Sequence, residues 1–292
     1  MENLRGSVLM VIAMAAFAME DMFVKSASTH LAVGVVLMLF GLGGMAVFGV
    51  LITARGQRLL HPALASKPLL IKLALEVVGR LGYTLGIALT PLSNASAILQ
   101  ATPLVVVAGA AVVFSERVGI RRWVAVGIGF IGVLIVLRPG LEGFVPAALW
   151  TVLGMLGFAG RDLATRACPP VLSNFQLSFY GFMMLIPTGV LILLIFGGVT
   201  TPDLVSLRDV AGAVAFGSLA YWSLTKAMRM GEVSVITPFR YTRLIFALIL
   251  GAVVFGERPD TAMIFGAALI VASGLYTLVE GRRSRIRARV RA

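Results

Sequence analysis

The sequence predicts an all-α integral membrane protein of ten transmembrane helices, built as two inverted five-helix repeats around a central cavity. Three observations carry this. Of 292 residues, 59% are hydrophobic and 13% are charged, with a mean hydropathy of +0.98. A soluble chain of this length needs far more polar surface. The apolar residues come in runs of about 20, the length a helix needs to cross roughly 30 Å of hydrocarbon. A membrane β-barrel would show short alternating segments instead. Finally, the stretch "FAMEDMFVKSA" near the N-terminus returns 141 residues later.

The first run, 6–27, is too long for the apolar core of a signal peptide, and no small-residue cleavage site follows it, so it reads as a transmembrane helix. Helices at 33–53 and 69–90 follow, then 92–115 after the tight turn "LTPLSN", where Pro91 and Asn94 favour a bend. The first half closes with 119–138. The second half supplies 145–167, 173–197, 208–230, 233–255 and 260–279. The expected units are residues 1–140, 141–281 and a basic tail over 282–292.

Six arginines of the net charge of +12 lie in that tail, "GRRSRIRARVRA". Their place just after a helix points to anionic lipid rather than nucleic acid. With the N-terminus inside, short cytoplasmic loops receive Arg5, Arg55, Arg58, Lys67, Arg117, Arg121 and Arg122. The other side receives Arg138, Arg208 and Arg258. This asymmetry predicts an inner-membrane protein of bacterial type with both termini in the cytoplasm. The single Cys168 excludes an internal disulfide and reads as a packing residue.

At the 141-residue offset Phe17 lies on Phe158, Ala18 on Ala159, Asp21 on Asp162 and Lys25 on Arg166; "FSER" at Phe114 lies on "FGER" at Phe255. Two matches at one offset indicate a duplication, and an odd number of helices per half turns the second half over in the membrane. Inverted repeats of this kind mark secondary transporters, with the substrate site near the midplane. Asp21 and Lys25, spaced i,i+4, share a helix face, as do Asp162 and Arg166. The expectation is that each pair closes on itself, either as a gate at one end of the path or as a lock on helix packing. Glu20 lies on Arg161 and has no acidic counterpart, which makes it a candidate for proton coupling.

Ten helices in two halves, with "SERVGIRRWVAVGIGFIGVLIVLRPG" closing the first and "FGERPDTAMIFGAALIVASGLY" closing the second, resemble the drug/metabolite transporter superfamily of EamA type. The resemblance covers nearly the whole chain. It implies a basket-like bundle whose cavity is lined by the first, third, fourth, sixth, eighth and ninth helices. It also implies a carrier of amino acids or related metabolites, with export as the expected direction; uptake of a metabolite such as S-adenosylmethionine or riboflavin is the alternative. The second helix departs from the family, with "LFGLGG" at Leu39–Gly44 where many relatives carry an arginine after a phenylalanine.

Ionisable residues in the hydrocarbon face a cavity or one another. The midplane candidates for substrate binding are Glu76, Arg80 and Tyr83; Gln100 and Thr102 beside Pro103; Tyr221 and Trp222; and Arg240, Tyr241 and Arg243 in "TPFRYTR" with Thr237 and Pro238. Glu76 and Arg80 form either a binding pair or an internal salt bridge. The three aromatics read equally as core residues. Arg240 and Arg243 have no acid near them on their own helix, so at least one should meet substrate or an acid in the cavity. Lys226 and Arg229 should snorkel to the interface. The surplus of bases suits a carboxylate-bearing solute, since the guanidinium fork binds carboxylate in two places. Glycines at Gly127, Gly129, Gly132 and over Gly212–Gly217 allow close helix approach.

An intramembrane enzyme needs a nucleophile, metal set or acid–base set. His30 and His61 fall in loops and Cys168 has no histidine near it in sequence. There is no phosphate-binding loop and no domain for ATP. No cofactor or metal is expected. The expected partners are a small-molecule substrate and lipid, not nucleic acid, with proton coupling open and a monomer or homodimer. A channel would pass solute without saturation.

Overall fold

The computed structural model of the protein describes residues 2–113, 115, 118–141, 144–168, 171–228 and 236–291. It is helical throughout the described elements. They are α1 Glu2–Ala27, α2 Val33–Thr53, α3 Lys67–Leu89, α4 Leu92–Leu99, α5 Thr102–Val113, α6 Ile120–Leu137, α7 Ala148–Arg166, α8 Asn174–Met183, α9 Leu185–Phe196, α10 Leu204–Met228, α11 Thr242–Phe255 and α12 Thr261–Arg291. Short 3₁₀ turns span Pro62–Ala65 and Thr237–Tyr241.

Three expected helices are broken, and each break has a proline beside it. The fourth splits at Gln100–Ala101 into α4 and α5, with Pro103 just beyond. The seventh splits at Met184, where Pro187 clashes with the preceding turn. The ninth begins as the 3₁₀ turn carrying Pro238 before α11. Across the basic tail, α12 runs on to Arg291.

By length and composition seven stretches among the described residues suffice to cross a membrane: 4–27, 33–53, 92–113, 120–137, 174–196, 204–224 and 261–280. The other three expected spans miss for visible reasons. Lys67, Lys72, Glu76 and Arg80 lie in α3; Arg161, Asp162 and Arg166 lie in α7; and α11 has only 14 residues. The outer surface is apolar, with Val112, Leu194 and Val253 more than three-quarters exposed. Glu20, Asp21, Glu76 and Arg80 are buried. Charges inside and aliphatics outside is the distribution that lipid demands.

The two halves interlock. The most extensive contacts join α3 to α7 and α1 to α10, which are equivalent pairings at the 141-residue offset, and α6 to α12, which are equivalent helices. α2 packs on α8 and α9, again equivalents meeting each other, and α4 packs on α11, the counterpart of α5. Glycine sets the closest approaches. A Cβ on Gly82 would meet the Gly154 backbone and the Trp150 carbonyl, and one on Gly157 would meet the Gly79 backbone. Of the glycines expected to pack, Gly132 faces the Gly266 carbonyl, Gly129 faces Leu104, Gly212 faces Phe23 and Gly217 faces Phe40. Gly127 faces open space and holds no helix contact.

Candidate functional site

Where α1, α3, α4, α7, α10 and α11 converge they leave a cavity of about 90 Å³. It has room for several waters or for the polar head of a solute. Nine of the expected residues line it: Glu20, Arg80, Tyr83, Gln100, Thr102, Tyr221, Arg240, Tyr241 and Arg243. Phe17, Phe158 and Arg161 complete the wall. Phe158 and Arg161 lie 141 residues from Phe17 and Glu20, so the repeat itself carried the signal for them.

The repeat also explains how the site is centred. Arg80 Nη2 donates to Tyr221 Oη at 3.0 Å, and Gln100 Nε2 donates to the Tyr241 carbonyl at 3.4 Å. Each pair is 141 residues apart, so each stands on the axis that relates the halves. The aromatic pair behaves likewise: Arg243 sits 4.9 Å over the Phe17 ring and Arg161 sits 4.6 Å over the Phe158 ring.

The ion pairs differ from the i,i+4 expectation. Asp21 does not bind Lys25. Its Oδ2 accepts from Arg243 Nη2 at 2.6 Å, from Arg243 Nε at 3.1 Å and from Tyr83 Oη at 2.9 Å. Lys25 Nζ donates to the carbonyls of Thr90 at 2.6 Å and Ile87 at 3.2 Å, where the α3 carbonyls end, and lies 3.6 Å from Glu257 Oε1. Glu257 in turn accepts from Leu92 N at 2.5 Å, Ser93 N at 3.0 Å and Ser93 Oγ at 2.7 Å. A carboxylate thus caps the first turn of α4, where backbone donors lack partners and the helix dipole is positive. Asp162 accepts from its neighbour Arg161 at 2.8 Å and lies 4.0 Å from Arg240. The side chain of Arg166 is outside the described residues, as are Arg229, Glu116 and Arg117 and the side chains of Thr237 and Pro238.

Glu76 is a second correction. It does not line the cavity but lies buried behind it, 3.6 Å from Lys72, 3.7 Å from Arg80 Nε and 3.3 Å from Arg161. This is the internal salt-bridge arrangement that the sequence offered as the alternative to a binding pair. Trp222 is a third: it is 40% exposed and turned from the cavity into a separate pocket.

Two layers of polar contacts cross the bundle at the Lys25 end, first Asp21–Tyr83–Arg243 and then Lys25–Glu257–Ser93. At the opposite end Asp162 and Arg240 are looser, with side chains 27% and 31% exposed. Between these levels Glu20 is buried, bound at Oε1 by Arg80 Nη1 at 2.9 Å, while its Oε2 has no hydrogen-bond partner. The cavity thus holds a carboxylate oxygen without a hydrogen-bond partner and, toward its looser end, the weakly paired guanidinium of Arg240. Among the described residues no cluster of three His, Cys, Asp or Glu side chains is placed to hold a metal.

Comparison with known proteins gives one family. The profile of the EamA-like transporter family matches residues 4–138 and again 145–279. An S-adenosylmethionine uptake transporter of Rickettsia bellii is 27% identical over 206 residues, 70% of each chain. A riboflavin transporter of Rhizobium johnstonii is 29% identical over 74% of this chain and 72% of its own. A pseudopaline exporter, CntI, of Pseudomonas aeruginosa is 24% identical over 91% and 93%. A crystal structure at 18% identity superposes with a TM-score of 0.63 over 95% of this chain and 98% of that one, a likeness of fold.

Proposed function

From the premise that the chain belongs to the EamA-like transporter family, we propose that it is a secondary transporter of a small zwitterionic metabolite carrying an amino-acid head. The observation that supports this most is the presence in one cavity of two incompletely satisfied groups of opposite charge. Glu20 Oε2 is buried without a partner, and Arg240 lies only loosely against Asp162. An ammonium suits the first and a carboxylate the second, and Phe17, Phe158 and Tyr221 supply an apolar wall for the rest of the solute. S-adenosylmethionine and free amino acids both carry such a head.

In this reading the chain crosses the bilayer ten times, with α4–α5 and α8–α9 each acting as one broken span and α3, α7 and α11 as the charged spans. Both termini are cytoplasmic, so the shut Lys25 end faces outward and the cavity belongs to the inward-facing state. Rocking of the interlocked halves exposes the site to each side in turn. A carrier works both ways, and direction follows the gradients of solute and coupled ion. Export of amino acids and uptake of S-adenosylmethionine are separated by the same assay.

That assay is counterflow in proteoliposomes loaded with amino acids, S-adenosylmethionine or riboflavin. Saturable counterflow of a zwitterion is expected, with Arg240→Ala raising KM at least tenfold. Flux of riboflavin alone, which has no amino-acid head, would sink the substrate class and leave the transporter. An unchanged KM in Arg240→Ala would remove that arginine from the site.

A further inference from the structure

A second cavity, of about 450 Å³, lies between the ends of α2, α8 and α10. Its lining includes Arg55, Gln57, Ser173, Asn174, Trp222 and Lys226, and no acid among the described residues. The two cations are held in place. The Arg55 guanidinium lies 4.2 Å over the Phe175 ring, and Lys226 Nζ lies 4.8 Å over the Trp222 ring. Neither makes an ion pair among the described residues, unlike Lys25, Arg80, Arg161 and Arg243 in the bundle interior. The first turn of α8, capped by Ser173, points the positive end of its dipole at the same space. Ser173 Oγ is bonded to Gln57 Oε1 at 2.8 Å, which fixes the polar floor.

We propose that this cavity binds the phosphate of an anionic phospholipid headgroup. Two aromatic-backed cations, a helix N-terminus and amide side chains form an anion site. Its surroundings select lipid over free phosphate. Val47 and Val50 on α2 and Leu219 on α10, within a few residues of the lining in sequence, are exposed apolar side chains on the helices that form it. Basic pockets between membrane helices bind such headgroups. Tyr221 stands in the wall shared with the central cavity, so the lipid rests against the side chain that holds Arg80.

The test is thermal unfolding of the full chain in detergent, titrated with phosphatidylglycerol, phosphatidylcholine or inorganic phosphate. Phosphatidylglycerol should raise the midpoint saturably and phosphatidylcholine should not. Arg55→Gln with Lys226→Gln should weaken the apparent affinity about thirtyfold, and Lys226→Gln alone about fivefold, at roughly a fivefold loss per charge. Arg55→Lys with Lys226→Arg should keep most of it. Equal shifts from both lipids, or an unchanged affinity in Lys226→Gln, overturn the site. A shift from inorganic phosphate equal to that from phosphatidylglycerol overturns the lipid and leaves a free-phosphate site.

Discussion

Asp21 and Arg243 are 222 residues apart and close the layer above the cavity. Both are largely buried, with side chains 3% and 16% exposed. Asp21→Asn keeps the shape but removes the charge that two guanidinium bonds and the Tyr83 hydroxyl converge on. Arg243→Gln removes the charge from the other side. Stranding one member of a buried pair costs about 3–5 kcal/mol. Each single variant should therefore lose about 3 kcal/mol, or roughly 6–12 °C of melting temperature at 2–4 °C per kcal/mol. If the two side chains act as a unit, the double variant has little left to lose. It should fall about 3–4 kcal/mol below the parent rather than the additive 6, a coupling of about 2–3 kcal/mol. Thermal unfolding of the four proteins in one detergent measures the cycle. Additive losses, with a coupling under about 0.5 kcal/mol, would refute the claim that this pair holds the layer.

Glu257→Gln takes the charge from the cap on α4 at a cost of about 1–2 kcal/mol to the shut end; a cysteine placed at Ala95 in a Cys168→Ser background should then react about five- to thirtyfold faster with a membrane-impermeant thiol reagent, and an unchanged rate argues against a latch. Gly82→Ala puts a methyl against the Gly154 backbone, which has no side chain to swing aside, so a loss of about 1–3 kcal/mol is expected by thermal unfolding, while Gly127→Ala should be silent. Outside the spans, Asp203 accepts hydrogen bonds from the Ser206 hydroxyl and backbone N–H, which hold its carboxyl below the usual range. A depressed pKa stabilises the fold above the unfolded value, about 3.9. The midpoint gap between the parent and Asp203→Ala should therefore stand at neutral pH and close as pH falls below about 4; a gap that persists at lower pH contradicts the assignment.

Repetition made the fold legible. The 141-residue offset read from Phe17, Asp21 and Phe114 is the offset at which Arg80 meets Tyr221 and Gln100 meets Tyr241. Composition at depth made much of the site legible, because a charge in hydrocarbon has few places to go. Pairing was not legible. Sequence spacing offered Asp21 a partner four residues away on its own helix, whereas packing gives it Arg243 from the other half. Glu257 escaped notice as a partner of Lys25 and α4 because it follows the end of its helix at Phe255, and only packing brings it over the start of α4. Trp222 and Tyr221 are sequence neighbours, yet the helix brings only Tyr221 to the central cavity.

The interlocking of the halves sets an order of events during synthesis. α1 is made first, but its main partners α10 and α11 are among the last. At about 5–20 residues per second, Asp21 waits roughly 10–45 s for Arg243, 222 residues downstream. Until Arg80 is made, 60 residues after Glu20, two adjacent carboxyl groups on a newly inserted helix have neither their arginines nor a finished interior, and Asp21 waits longer. The nascent chain must hold them neutral, keep them in the insertion machinery, or shelter them against α3, whose Arg80 and Tyr83 arrive first.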